Sequence, residues 1–199
     1  MHPGKFPVFP LKTLCFPGHR LPLRVFEERY LQMLKDIAET RTFVISLLSH
    51  GEEVGGEATP FRVGTLVDFE DIQVQGDYHL LRPRGRTRVY LESFDRESRP
   101  YLTALAVPYE DESATAVADD RIPELESGIL AMASRLGPEE SRDIPEVLGA
   151  MRAELGRENY SLFLCGCLEL PPIYLQRLLE SRSLAYRIDN ALNLLAQRK

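Results

Sequence analysis

The sequence predicts an α+β protein in which a mostly β N-terminal part with one helix precedes a C-terminal helical bundle. Three observations carry that prediction. Through about residue 110, Pro and Gly cut the chain into short apolar runs, which is the pattern of strands and turns. Over 111–120 bulky apolar residues vanish except for Val117, and acidic, Ser, Thr and Ala residues take over, as in a linker. Beyond that stretch, apolar residues return at helical spacing. The expected division is therefore a β subdomain over 1–110, a linker over 111–120 and a helical bundle over 121–199.

In the first part, strands are expected over 5–11, 21–25, 42–48, 61–73, 78–82, 87–95 and 101–109. A helix interrupts them at 28–39. There Tyr30, Leu31, Leu34, Ile37 and Ala38 fall on one helical face, and Glu27 and Glu28 set negative charge against the positive end of the helix dipole. This helix should lie over one mouth or face of the sheet.

After the linker, Ile122, Leu125, Ile129, Met132 and Leu136 mark a helix with Pro123 in its first turn, stopped by Gly137-Pro138. Pro145 starts another, with Val147, Leu148, Met151 and Leu155 as its buried stripe. Asn159 is placed to cap an almost wholly apolar helix from Tyr160 to Leu168, which must be the central helix of the bundle. Pro171-Pro172 opens a helix carrying Ile173, Leu175, Leu178 and Leu179. A last one from Ser183 carries Leu184, Ile188, Ala191, Leu192 and Leu195.

With 44% hydrophobic residues the 199-residue chain can bury a substantial core, and its formal net charge of −6 disfavours a general attraction to phosphate backbones or anionic membranes. No run approaches the roughly 20 apolar residues of a spanning helix, and the N-terminus lacks a secretory signal, so a cytoplasmic protein is expected. Three cysteines make a closed disulfide framework improbable; Cys165 and Cys167, within an apolar run, read as reduced core residues.

The motifs of catalysis are missing. The phosphate cradle G-x-x-x-x-G-K-[ST] does not occur, and Gly55-Gly56, in an acidic loop with no following Lys, reads as a turn. His2, His19, His50 and His79 are scattered, and Cys165-Gly166-Cys167 sits in apolar surroundings that do not activate a thiol, so no metal or cofactor is expected. No nucleophile elbow G-x-S-x-G is present, and Asp68 and Glu70, alternating on a strand, read as a solvated face. The expectation is a binding protein without enzymatic activity.

One charged pattern stands out. Arg82, Arg84, Arg86 and Arg88 alternate, and an unbroken strand would project all four to one side as a basic stripe able to meet RNA phosphates. The competing reading is an exposed edge whose charges deter aggregation, with a bulge or bend near Gly85 that breaks the alternation.

The segment Phe9-Pro10-Leu11, Leu14, Phe16-Pro17-Gly18 and Leu21-Pro22-Leu23-Arg24-Val25-Phe26-Glu27 with Arg29-Tyr30 resembles the opening motif of the N-terminal, substrate-recognition domain of ATP-dependent Lon proteases. Val63-Gly64-Thr65, Gly85 with Arg88, the strand ending near Pro108 and the stretches Leu175–Glu180 and Ala185–Ile188 follow in the same order. The resemblance covers nearly the whole chain. It implies a PUA-like β pseudo-barrel followed by a helical bundle, and a role in holding polypeptide or another protein. A full Lon protease continues into an ATPase and a peptidase, whereas this chain stops at Lys199, so proteolysis is not expected from it. Arg24, Glu27, Arg29 and Tyr30 are the candidate partner-binding residues, with the groove between sheet and bundle or an open sheet edge as the expected surface. Within the same motif, Pro10, Pro17 and Pro22 would fix the chain path and Glu27 the helix start. The alternative is RNA binding through Arg82, Arg84, Arg86 and Arg88.

Overall fold

The structure, a computed structural model, describes residues 2–112, 121–135 and 137–197. The chain divides into two compact units, Met1–Tyr109 and Glu110–Lys199.

Among the described residues the first unit holds nine strands, β1 (Gly4–Leu11), β2 (Leu23–Val25), β3 (Thr42–Gly51), β4 (Ala58–Pro60), β5 (Val63–Asp68), β6 (Ile72–Gln75), β7 (Tyr78–Leu81), β8 (Arg84–Asp95) and β9 (Thr103–Pro108), and one helix, α1 (Glu28–Asp36). Hydrogen bonding runs β1-β9-β8-β5-β3, and a parallel pairing of β1 with β3, Val8 opposite Val44, closes the circle. This is the expected pseudo-barrel, and closure removes the sheet edges that would otherwise invite aggregation. β4 adds to β3, and a separate sheet is ordered β2-β7-β6.

The side-chain alternation of the strands sorts two cores. Val8, Val44, Val89, Leu91, Ala104 and Ala106, together with Leu66, come from all five barrel strands and fill the interior, where the small bore favours Val and Ala. The alternate residues Phe9, Leu11, Phe43, Ile45 and Val67 face outward and are covered by Tyr30, Met33, Leu34 and Ile37 of the α1 segment and by Leu23, Val25 and Leu81 of the smaller sheet. Both faces of β1 and β3 are thus buried, which is why these strands read as nearly unbroken apolar runs. The helix lies over a wall of the barrel. Asp36 at its end accepts hydrogen bonds from the Tyr101 hydroxyl at 2.7 Å and from Gln32 Nε2 at 2.7 Å, and these hold its carboxyl below the ordinary carboxylate range.

The expected strand over 61–73 is two strands, because the chain leaves the barrel after Asp68 and enters the smaller sheet at Ile72, anchored between them by buried Phe69 against Phe43. The α1 helix ends at Asp36, three residues short of expectation, with Ile37 as its C-cap.

The second unit contains α2 (Ile122–Ala133), α3 (Pro138–Ser141), α4 (Ile144–Gly166), α5 (Pro172–Glu180) and α6 (Leu184–Ala196). Leu136 of the expected first stripe, and residues 113–120 of the expected linker, lie outside the described residues. In α4 the helical path breaks at Gly156, at φ 69° and ψ 166°, a conformation that glycine adopts without a Cβ penalty. The break expected at Asn159 therefore falls three residues earlier. Beyond it Tyr160, Leu162, Leu164 and Cys165 are buried as the sequence foretold.

Arg187 of α6 is fully buried. Its guanidinium donates to both carboxylate oxygens of Asp111 at 2.9 and 2.5 Å, to Ser161 Oγ at 3.1 and 2.9 Å, and to the Ser181 carbonyl at 2.7 Å. A buried charge pair persists only when its donors and acceptors are met in this way. Asp111, which composition assigns to the linker, is thus an anchor of the helical unit.

Candidate functional site

The opening motif is tied to the start of β8. Gly18 N–H donates to the Gly85 carbonyl at 2.9 Å, Gly85 N–H to the His19 carbonyl at 2.9 Å and Leu21 N–H to the Pro83 carbonyl at 3.0 Å. A Cβ on Gly85 would stand 2.1 Å from the Phe16 carbonyl oxygen, so only glycine admits this approach. Two of the three glycine-bearing parts of the Lon-like pattern, those at Gly18 and Gly85, are therefore one contact in space.

Glu27 is the N-cap residue of α1, but its carboxylate makes no side-chain cap bond to the helix. It accepts from Gly55 N–H at 3.0 Å and pairs with Arg29 at 2.9 Å. Arg29 in turn donates to the Gly56 carbonyl at 3.1 Å and the Glu53 carbonyl at 3.4 Å. Glu27 and Arg29 thereby fasten the loop between β3 and β4. Tyr30 is 3% exposed and packs on Phe9 at a centroid distance of 4.0 Å; burial pushes its hydroxyl pKa up to about 12.

Between β2, the end of β1 and the fastened loop lies a cleft of about 240 Å³, with Leu11, Leu23 and Tyr30 in its lining and Phe26 and Val54 on its rim. Phe26 is 50% exposed and Val54 51%. Apolar side chains left open beside a cleft mark a place where apolar groups of a partner can be covered. β2, which lines the cleft, pairs with β7 alone among the described strands, so its other side is a sheet edge. Arg24 stacks its guanidinium 3.9 Å over the Tyr78 ring and also lines the neighbouring cleft of about 450 Å³.

The four alternating arginines do not form a stripe. β5 and β8 pair Leu66 with Thr87 and then Val67 with Gly85, which leaves Arg86 as the extra residue of a bulge. Arg88 is 3% exposed and sits 5.3 Å over the Tyr109 ring. Arg86 pairs with Asp68 at 2.5 Å. Arg82 joins Arg20 and Arg24 in the larger cleft, where Glu70 and Asp71 offset the charge. The bulge foreseen near Gly85 breaks the alternation, and Arg82, Arg86 and Arg88 lie in three different surroundings.

Of the residues singled out from sequence, the structure brings Arg24, Glu27 and Tyr30 to one cleft, and Arg29 is joined to it through Glu27. Phe26 and Val54 were missed as candidates. The available signals were an apolar residue directly before the acidic helix start and a lone Val in the acidic glycine loop. Among the described residues no group of three or more His, Cys, Asp or Glu side chains could hold a metal ion, and no helix is long and apolar enough to cross a membrane.

A family model described as the ATP-dependent protease La (LON) substrate-binding domain matches residues 5–197. Among solved structures, the chain is similar to a Lon N-terminal domain protein from Xanthomonas campestris at 22% identity and a TM-score of 0.67, over 96% of this chain and 98% of that one. It is also similar to the N-terminal domain of a Mycobacterium avium complex Lon protease at 15% identity and a TM-score of 0.71, over 97% and 98% of the two chains. At these identities the likeness establishes the fold. A search of curated proteins finds no match.

Proposed function

The chain belongs to the ATP-dependent protease La (LON) substrate-binding domain family, and from that premise we propose that it is a polypeptide-recognition module whose binding surface is the cleft rimmed by Phe26 and Val54. The observation that carries the reading is the pair of half-exposed apolar side chains beside an edge strand. An extended segment would add to β2 through main-chain hydrogen bonds and place one apolar side chain in the cleft, the mode of strand addition with a side-chain pocket. Arg24 would meet the segment's carbonyl or carboxylate groups at the rim. Glu27 and Arg29 act as positioning residues that hold Val54 in place.

Covering the exposed half of Phe26 removes about 100 Å² of apolar surface, roughly 2.5 kcal/mol before ordering costs. Micromolar binding needs about 8 kcal/mol, so the main-chain hydrogen bonds of strand addition would supply the larger share. The module would therefore prefer chains that present apolar segments openly.

The test is fluorescence anisotropy with one labelled protein in two forms, native and permanently unfolded by thiol alkylation, alongside a labelled single-stranded RNA. Binding of the unfolded form alone, in the micromolar range, supports the proposal. Equal binding of both protein forms, or of RNA alone, removes it.

A further inference from the structure

The helical unit carries a second opening, a groove of about 870 Å³ between α2, the first half of α4 and α6. Ile129, Met132, Ile144, Val147, Leu192 and Leu195 line it. Val147 belongs to the stripe of Val147, Leu148, Met151 and Leu155 that helical spacing marks for burial. The structure buries only Leu148 fully and leaves Val147 48% exposed. The part of an apolar helix face that its own chain leaves uncovered, here Val147 beside buried Leu148, is open to a partner.

Charge says which partner. The first unit has 14 basic and 14 acidic residues and the second has 10 basic and 16 acidic, so the entire net charge of −6 resides in the helical unit. Along the groove, Arg121 is neutralised by Glu124 at 2.8 Å and Asp189 at 2.5 Å. Asp143 and Glu169 form no ion pair among the described residues, nor does Arg135, which leaves the rim with an acidic surplus. The sequence 113–120 is a poor occupant, with Val117 as its one bulky apolar residue and with Asp119 and Asp120 of the same sign as the rim.

We infer that this groove is a docking site for an amphipathic helical segment of another polypeptide, one that presents a bulky apolar stripe and basic flanks. The apolar stripe lies along Val147 and the gap between α2 and α6, and the flanking Lys or Arg side chains meet Asp143 and Glu169. The volume suits two or three large side chains inserted from one helix face. This site is independent of the Phe26 cleft, and neither proposal requires the other.

The test uses the full chain and three fluorescein-labelled helical peptides that share one leucine stripe and differ in flanks of Lys, Gln or Glu. At low salt the Lys-flanked peptide binds about tenfold tighter than the Glu-flanked one, and the gap shrinks to about twofold at high salt. Val147→Asp, at an exposed position that tolerates the change, weakens all three peptides about tenfold or more. Charge reversal by Asp143→Lys with Glu169→Lys inverts the order of the flanks. Phe26→Asp leaves these affinities unchanged. Cys167, which lines the groove and is half-buried, gives a readout in the unmutated protein: saturating Lys-flanked peptide slows its alkylation several-fold. Equal affinity for all flanks, no effect of Val147→Asp, unprotected Cys167, or self-association of the chain through the Val147 face would each overturn the inference.

Discussion

Removing the carboxylate of Asp111 tests how the helical unit is held together. Asp111→Ala leaves the guanidinium of Arg187 in a site where its side chain is 0% exposed, with Ser161 Oγ and the Ser181 carbonyl as its remaining acceptors. Both are neutral, so the positive charge is left uncompensated away from water. Stranding one member of a buried pair costs about 3–5 kcal/mol, a large share of the roughly 5–15 kcal/mol that holds a typical domain. Replacing both partners by apolar residues, Asp111→Leu with Arg187→Met, removes the charges together and should fall within about 2 kcal/mol of the parent. Ser161→Ala, which removes two hydrogen bonds to a charged group, should cost about 1–2 kcal/mol. Hydrogen exchange read by mass spectrometry on peptides from α4 and α6 reports this unit separately from the barrel. A loss below about 1 kcal/mol for Asp111→Ala, or a double variant weaker than the single one, would refute the reasoning.

Three further outcomes are expected. Gly85→Ala drives a methyl group against the Phe16 carbonyl and should cost about 2–3 kcal/mol in urea unfolding of the first unit, where Gly76→Ala, with open space around it, should cost about 1. Glu27→Ala releases Gly55 and Arg29, so amide exchange over 52–57 should speed about tenfold while α1 exchange changes little. Burial raises the Tyr30 hydroxyl from 10.0 to about 12, so the unfolded state binds fewer protons than the native state across that window and stability falls as pH rises through it. Tyr30→Phe should flatten that fall by about 1.4 kcal/mol per pH unit in alkaline urea titrations, and an unchanged slope would count against it.

The resemblance is legible because residues that carry it, in the opening motif and beyond, have their identity fixed by the packing around them. Gly85 is required by the approach of Phe16, and Tyr30 by its packing on Phe9. The closed barrel itself was less legible, since the β1–β3 pairing joins strands 36 residues apart in register and leaves no local signal. The strand expected over 61–73 runs on because Val63, Thr65, Val67 and Phe69 alternate and apolar Ile72 follows closely, although the pattern loses its phase at Asp71 where the chain changes sheets. Asp111 reads as linker because composition reports polarity and cannot see a buried arginine 76 residues away. Periodicity marks Val147 for burial with Leu148, yet the structure buries Leu148 and leaves Val147 open, because helical spacing shows an apolar face without showing how much of it the chain itself covers. Phe26 escaped notice for the opposite reason, since one exposed apolar residue within a structural motif carries no pattern of its own.

The central claim is that apolar segments of unfolded polypeptide are held at the Phe26 cleft. It is tested most directly by the affinity of a permanently unfolded, fluorescently labelled protein for the parent chain and for Phe26→Asp, both shown folded by circular dichroism. Loss of the apolar contact, about 2 kcal/mol, predicts roughly thirtyfold weaker binding by the variant. Equal affinity of the two chains would contradict the claim.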